Sequence, residues 1–551
     1  MKKLFSAILA SVLCMFSFTS VSCNNYDKGE EGVYYINSES GSDKNNGKSR
    51  EKAWKSFKNL KDLTLHAGDT VYLSGSFDEC LKFNGQGSED KPITFTSYGN
   101  KKALIAGTGA SGAVIIKNQS NIVISNFEIT NKPIINTSNA IRRCGVSIIA
   151  DEGKMTNIKV LNCDIHDVEG TVLNPNMYTN AGIYIKHLKA GSEENCFDGI
   201  LVDGCTLTDI KGVGIRSADG FEWSEGDTSM NVNPGALNYV FKNVVIKRTE
   251  IKRTGADGII LANCYKPLVE DVKCFDAGYW SNATTKVIAG VWACATESAT
   301  YRRVEVARTK FIDGDGQAFD TDWGCTGTFT WEYCYTHDND GGLILRHLPV
   351  DGVFRYCISV NDENPNKTFS DGDLAGTKGL IYFATINDNY NCGTMHFYNC
   401  IFYNDKAEMA VSRGAAYDSK KNNWLASQDY DPTVNEFSNC IFVSINQVKW
   451  GLRQKYSNNC YYNLKGEMVA PGQDAYAKVC NPMFVGGIPK DSNGLVIDKS
   501  NPEDFFALTE ASRLIGAGRI IENNGGTDFS GNRLKDDSVS IGAFEKNKEN
   551  K

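Results

Sequence analysis

Short stretches in which apolar and polar residues alternate recur along the chain, and each ends in Asp or Asn. Three of them read "IKVLNCDIHD" at residues 158–167, "FTWEYCYTHD" at 329–338 and "MHFYNCIFYN" at 395–404. Alternation with a period of two predicts β-strands that bury one face. The chain is therefore expected to be all-β, built from many short strands.

A cysteine stands at nearly the same place in each stretch. Cys334 and Cys357 lie 23 residues apart and Cys357 and Cys400 lie 43 apart, which predicts a repeat of 20 to 23 residues that is sometimes doubled. A strand-containing repeat of this length indicates a solenoid in which each repeat is one coil. Because a free thiol packs as a small apolar group, the column predicts an interior ladder and not disulfides or a zinc site.

A second strand in each coil opens with glycine, as in "AGIYIK", "VGIRSA", "GQAFDTD" and "GGLILRH". Alternation after the glycine sends every second side chain outward. The side chains expected to point inward are Ile183, Ile185, Ile259, Leu261, Leu343 and Leu345. Those expected to point outward are Tyr184, Lys186, Arg216, Trp292, Asp320, Asp322 and Arg346. A sheet face that mixes charged and aromatic residues in this way is typical of sugar binding.

Several longer stretches carry a family resemblance. "YYINSESGSDKNNGKSREKAWKSFKNL", "HAGDTVYLSG", "KPITFTSYGNKKALIAG" and the closing "DFSGNRLKDDSVSIGAFE" resemble right-handed parallel β-helix proteins of the pectate lyase-like superfamily, particularly those of Bacteroidetes. The resemblance covers residues 33–545 and implies a β-helix with its N-terminal cap over 33–480 and a C-terminal closing segment over 481–545. The superfamily includes lyases, glycoside hydrolases, epimerases and adhesins, so the fold does not choose the reaction.

The open N-terminal end of such a solenoid needs a cap. Five apolar residues have the spacing of one helix face: Ala53, Trp54, Phe57, Leu60 and Leu63. They predict a short amphipathic helix that covers the first coil.

The N-terminus has the features of an export signal. Lys2 and Lys3 precede an apolar run over residues 4–18, which indicates a signal peptide over 1–22. The run ends in "SVSC", which resembles a bacterial lipoprotein box with Cys23 as the lipidated residue, followed by a tether over 23–32. We expect an outer-membrane lipoprotein at the cell surface or in the periplasm, bound to the membrane through its lipid anchor only.

The overall charge limits the kinds of molecule that the protein is expected to bind. The 551 residues have a net charge of −8, so nothing in the composition provides the basic surface that nucleic-acid binding needs. A polysaccharide or oligosaccharide is the expected partner, and a capped solenoid is expected to be a monomer.

The stretch "DGDGQAFDTDWG" at residues 313–324 holds four aspartates. Asp320 and Asp322 are predicted to share the outer face of one strand, with Cα atoms about 6.6 Å apart. This separation falls within the range of about 6.5–9.5 Å that lets two carboxyl groups act as general acid and base around a water molecule in inverting glycoside hydrolysis. Crowding would also raise one pKa, as a general acid requires.

Further residues around this strand are predicted to bind substrate. The next coil supplies His337 and Asp338 from its turn, and Arg346 and His347 from its strand, with Arg346 expected beside one of the aspartates. The complete substrate-binding set is Lys186, Arg216, Trp292, Trp323, His337, Asp338, Arg346 and His347. The function predicted from these residues is a polysaccharide-degrading glycoside hydrolase that requires no cofactor.

Two alternatives remain open at this point. In the first, Asp313 and Asp315 help to hold Ca²⁺, and a polysaccharide lyase uses a basic residue such as Lys186 or Arg346 for β-elimination. The aspartate stretch itself contains no basic residue, which favours hydrolysis. In the second, the aspartates form turns or a structural site in a non-catalytic glycan-binding protein or adhesin.

Overall fold

The computed structural model describes residues 32–133, 142–170, 179–189, 192–218, 240–281, 288–312, 315–322, 324–346, 350–364, 379–385, 393–406, 409–418, 423–427, 434–451, 454–487 and 500–546. The predicted signal peptide, Cys23 and nearly all of the tether lie outside these residues. Within the described ranges, no helix is long and apolar enough to cross a membrane.

Three parallel sheets wind around one core, and each full coil contributes one strand to each sheet in turn. Sheet I consists of Leu81–Lys82, Val114–Lys117, Cys144–Ala150, Ala181–His187, Val213–Ala218, Ile259–Ala262, Val291–Cys294, Gln317–Thr321, Gly342–Arg346, Ile381–Thr385, Ser412–Asp418 and Asn423–Ser427, the last being antiparallel. The predicted parallel β-helix is confirmed.

Sheet II follows sheet I in each coil. It consists of Val33–Asn37, Thr70–Ser74, Ile93–Ser97, Ile122–Ser125, Met155–Leu161, Phe197–Asp203, Phe241–Lys247, Leu268–Glu270, Thr300–Arg302, Thr328–Glu332, Asp351–Arg355, Met395–Tyr398, Asn435–Ser438 and Lys455–Ser457, with Cys264–Tyr265 paired at its side. In its later coils, six interior aromatic rings stack with centroids 4.4–5.5 Å apart: Tyr301, Trp331, Phe354, Phe397, Phe437 and Tyr456.

Sheet III closes each coil. It consists of Ser76–Phe77, Ala103–Ala106, Phe127–Asn131, Asp164–Val168, Thr206–Ile210, Glu250–Thr254, Lys273–Phe275, Glu305–Ala307, Tyr335–His337, Ile358–Val360, Ile401–Asn404, Ile441–Ser444, Cys460–Asn463 and Lys478–Val479. Phe484, Phe506 and Phe544 of the C-terminal segment pack against the outer side of its last strands. That segment, which includes the helix Pro502–Phe506, therefore covers a sheet face.

The predicted capping helix is much shorter than expected. Only Phe57–Leu60 form a helix, a single 3₁₀ turn that begins after Ser56. Trp54 instead has extended backbone and bridges to Ile36 of the first strand. Phe57 still caps the core, since its ring stacks on Phe77 at 4.6 Å. The Thr64–Leu65 and Asn84–Gly85 strands pair nearby.

The cysteine ladder is confirmed at the corner between sheets II and III. Thiols at this corner lie within hydrogen-bonding distance of a carbonyl of the preceding coil, as in Cys334 to Tyr301 (3.3 Å) and Cys400 to Phe354 (3.6 Å). Both of these cysteines are free and buried. Cys274 is an exception, because it lies within a sheet III strand. Corner residues just before the ladder cysteines, such as Tyr333, have positive φ, so one residue turns the chain between the sheets.

The expected doubling of the repeat is wrong. The strands that follow Cys357 and Cys400 pair directly, so the 43 residues between these cysteines form one coil. Coils therefore have a common strand framework but loops of different length, because loop insertions on a solenoid do not disturb the stacked strands.

Candidate active site

The outer face of sheet I carries one row of side chains that runs along the solenoid. The register aligns Tyr184, Arg216, Ile260, Trp292, Asp320, Leu345 and Tyr382 on successive strands. Tyr184, Ile260 and Trp292 belong to an apolar cluster that is separate from the core inside the coils. The row therefore combines an apolar surface with Asp320.

The local chain path explains why Asp320 points outward. Ala318 and Phe319 both belong to the interior core, so two consecutive residues face inward at the start of the strand. Alternation then places Asp320 outside and Thr321, which is fully buried, inside. Asp322 follows directly after the end of the strand, and its position on the outer side stays a prediction.

The two aspartates are strongly shielded from water. Asp320 is 4% exposed and Asp322 is 8% exposed. Asp320 pairs in register with Trp292, the neighbouring aromatic residue of the preceding coil. A carboxylate beside an aromatic ring in a shielded position suits sugar binding and proton transfer.

The predicted orientation of Arg346 is wrong. Leu343 and Ile344 both face the core, so it is Leu345, aligned with Asp320, that lies on the outer row. Arg346 pairs with the inward Thr321 and is completely buried. Its guanidinium donates to the carbonyl oxygens of Val350 (2.9 Å) and Gly393 (3.2 Å). We therefore leave Arg346 out of the substrate-binding set.

Lys186 and Arg216 lie on the outer face but at a distance from Asp320. Arg216 shares the row of Asp320 three coils earlier, which corresponds to about 14 Å at about 4.8 Å per coil. Lys186 is one coil further away. Neither residue, nor the buried Arg346, supplies the base that the lyase alternative needs beside the aspartates.

His337 and Asp338 lie on another sheet. His337 ends the sheet III strand Tyr335–His337, and its ring contacts Glu305 (3.4 Å) and Asp338 (3.0 Å). These carboxylates raise the pKa of His337 against the opposing effect of burial. Asp338 also pairs with Lys406 at 2.9 Å. The structure does not bring these two residues to the Asp320 face.

Sequence reasoning missed Asp257. It lies in "TGADG", which is typical of a turn, directly before the sheet I strand Ile259–Ala262. Its side chain is completely buried, and its Oδ1 accepts a hydrogen bond from the Ala289 amide at 2.8 Å. Burial raises the pKa of Asp257 to about 7, with a further contribution from the negative charge of Asp315. Such a carboxyl group near neutrality is characteristic of functional sites.

Several predicted residues cannot be placed. Trp323, His347 and Asp313 lie outside the described residues, and their roles stay predictions. Among the residues that the structure describes, no group of three or more His, Cys, Asp or Glu side chains is arranged to hold a metal ion. Burial raises the pKa values of Asp257 and Tyr382, and the negative charge of Asp315, the described member of the predicted calcium pair, raises both further.

The three stacked sheets define a parallel β-helix. The chain is 24% identical over 91% of its length to a lacto-N-biosidase of Bifidobacterium longum subsp. longum, and it spans about a third (36%) of that protein. It is also 29% identical, over 23% of its length, to the uncharacterized protein YwoF of Bacillus subtilis, of which it covers 27%. No protein-family model matches the chain.

Solved structures show the same fold. A GH136 lacto-N-biosidase from Eubacterium ramulus superposes with a TM-score of 0.52 and 23% identity, covering 70% of this chain and 68% of that one. The complex of XylC with xylose superposes with a TM-score of 0.51 and 10% identity, covering 93% of this chain and 98% of that one.

Proposed function

We propose that this protein is a glycoside hydrolase whose active site is the outer face of sheet I around Asp320. The observation that carries the proposal is the position of Asp320, shielded from water and in register with Trp292 on that face. The sequence similarity to a lacto-N-biosidase over most of the chain supports hydrolysis as the reaction.

In this mechanism Asp320 and Asp322 are the general acid and general base. One carboxyl group protonates the glycosidic oxygen as the bond breaks, and the other deprotonates a water molecule that attacks the sugar carbon. Trp292 and Ile260 offer an apolar surface to the sugar ring beside the reacting bond. The more distant Arg216 and Lys186 contact the remainder of the glycan along the solenoid.

The name of the related enzyme suggests a substrate. We propose that the protein releases lacto-N-biose or a closely related disaccharide from a longer glycan. An outer face that extends over several coils suits such a substrate, because binding remote sugars helps to position the reacting one.

The test is to incubate the protein, without residues 1–22, with lacto-N-biose-terminated glycans and a broad glycan panel, in the presence and absence of EDTA. We expect new reducing ends without the ultraviolet absorbance of an unsaturated product. The Asp320→Asn and Asp322→Asn variants should each lose roughly 10²–10⁴-fold in kcat.

The matched control is Asp209→Asn, which changes a carboxylate paired with Arg253 on sheet III. It should retain wild-type activity. An unsaturated product that disappears with EDTA would instead establish the lyase, and full activity of Asp320→Asn would remove this residue from the mechanism.

A further inference from the structure

Three buried polar side chains on neighbouring coils of sheet I have polar atoms without a hydrogen-bond partner among the described residues. They are the Oδ2 atom of Asp257, the indole nitrogen of Trp292, and both the oxygen and the nitrogen of the Gln317 amide. Asp257 and Gln317 are 0% exposed, and Trp292 is 9% exposed. Buried polar atoms are rarely left in this state.

All three side chains belong to the outer face. A Cβ at Gly258 would lie 2.1 Å from the interior Cys274 sulfur, so position 258 faces inward and the preceding Asp257 faces outward. Gln317 likewise precedes the inward-facing Ala318. Trp292 belongs to the outer apolar cluster.

The strand register brings the three groups to one place. Ile259, Val291 and Phe319 are aligned, so Asp257 and Gln317 occupy equivalent positions two coils apart, about 9.6 Å between Cα atoms. On the coil between them, Ala289, whose amide binds Asp257, lies just before the strand Val291–Cys294, which carries Trp292. The Trp292 indole lies close enough to Asp257 to oppose part of the rise in its pKa, but the two groups do not form a hydrogen bond of normal geometry. Asp320 follows Gln317 on the same strand.

Some other buried polar atoms without a hydrogen-bond partner among the described residues lie in the interior of the coils. The Tyr301 hydroxyl and the Trp331 indole nitrogen also have no partner among the described residues, but they lie in the aromatic stack inside the coils. No sugar can reach that position. The Asp257, Trp292 and Gln317 atoms are on the face that carries the proposed catalytic residue.

We propose that Asp257, Trp292 and Gln317 form a sugar-binding subsite next to Asp320, in which they bind the polar substituents of the sugar whose glycosidic bond is broken. This inference rests on the proposed function. Trp292 supplies a donor, the Gln317 amide supplies a donor and an acceptor, and Asp257 supplies its Oδ2. Sugar hydroxyls donate and accept, so one ring can satisfy all of these atoms at once.

Asp257 is a positioning residue in this scheme. Its Oδ1 is held by the Ala289 amide, which leaves Oδ2 directed to the ligand. Because burial raises the pKa of Asp257 to about 7, its neutral form is present near neutral pH and donates a hydrogen bond to the sugar. Removing this group should therefore weaken substrate binding more than it slows bond cleavage.

The test compares Asp257→Ala and Gln317→Met, which remove the polar atoms, with Asp257→Asn, whose amide still donates a hydrogen bond, and with the Asp209→Asn control. We expect KM to rise about 10-fold for Asp257→Ala and for Gln317→Met, as one lost hydrogen bond predicts, with kcat changed much less, and to stay near the wild-type value for Asp257→Asn; thermal unfolding checks that each variant is folded. An unchanged KM in both Asp257→Ala and Gln317→Met overturns the subsite while wild-type hydrolysis keeps the proposed function intact.

A binding experiment covers the case in which the wild-type protein hydrolyses nothing. Binding to a glycan array by the wild type, lost in Gln317→Met but retained in Asp209→Asn, would support the subsite and reject the hydrolase. Equal binding by wild type and Gln317→Met, or binding by neither, would overturn the subsite.

Discussion

Two aspartates in this protein are equally buried but are surrounded very differently. Asp362, beyond the sheet III strand Ile358–Val360, accepts hydrogen bonds from the hydroxyls of Thr336 and Ser359 and from the backbone and side-chain nitrogens of Asn339. Asp257, before a sheet I strand, accepts one from the Ala289 amide and has a second oxygen without a partner among the described residues.

The difference in hydrogen bonding separates a structural carboxyl group, Asp362, from one that we propose binds a ligand, Asp257. Burial raises the pKa of both carboxyl groups, but four donors oppose this effect at Asp362. A carboxyl group whose oxygens are all bonded holds loops together at a corner of the coil. The open oxygen of Asp257, on the face of Asp320, is the one that the proposed subsite uses to bind a ligand. Burial alone therefore does not distinguish the two carboxyl groups, whereas their hydrogen-bond partners do.

The largest expected effect is on the Asp362 corner. Asp362→Ala leaves the Thr336, Ser359 and Asn339 donors unsatisfied and should lower the free energy of unfolding by about 3–5 kcal/mol. The half-buried pair of Asp276 with Arg308 is the comparison, since Asp276→Ala should cost only about 1 kcal/mol. Chemical denaturation measures both, and equal small losses would show that the network is not structural.

Substitution of Asp257 is expected to have a smaller effect on the free energy of unfolding, and to raise it. Its pKa is about 7 in the folded protein and about 4 in the unfolded chain, so between these values only the folded state holds the proton. Its contribution to stability is therefore lost as the pH rises through this window. Asp257→Asn should raise the free energy of unfolding by on the order of 2–4 kcal/mol at pH 8 and change it little at pH 4.

Thermal unfolding at the two pH values measures this difference. Asp209→Asn is the control of opposite sign, because Arg253 lowers the pKa of Asp209 and the pair stabilises the folded state at neutral pH. If Asp257→Asn destabilised the protein equally at both pH values, Asp257 would resemble Asp362 and the contrast between the two regions would disappear.

The smallest effect on the free energy of unfolding is expected in the cysteine ladder, where the buried thiols contact backbone carbonyls. Cys400→Ala removes a buried sulfur that lies 3.6 Å from the Phe354 carbonyl oxygen, and it should cost about 1 kcal/mol. A reducing agent should leave the unfolding temperature of the wild type unchanged, because these thiols are free. A lower unfolding temperature after reduction would mean that neighbouring coils are cross-linked.

Much of the site was predictable because alternation within a strand is local. Alternation was enough to place Asp320 outside and Thr321 inside, and the recurring glycines located the strands of their sheet. The same rule failed at Arg346, because Leu343 and Ile344 both face inward and shift the alternation by one residue. Strict alternation, assumed from the sequence, cannot reveal where a strand contains two consecutive residues that face inward.

The sequence by itself determined the solenoid, since strand alternation and the cysteine column are repeated in each coil and every repeat must bury the same face. It also determined which strand carries Asp320. Only the tertiary structure decided which residues meet across coils. Asp257 and Gln317 are 60 residues apart in the chain, yet they lie two coils apart because loops of unequal length separate strands that stack at a constant spacing.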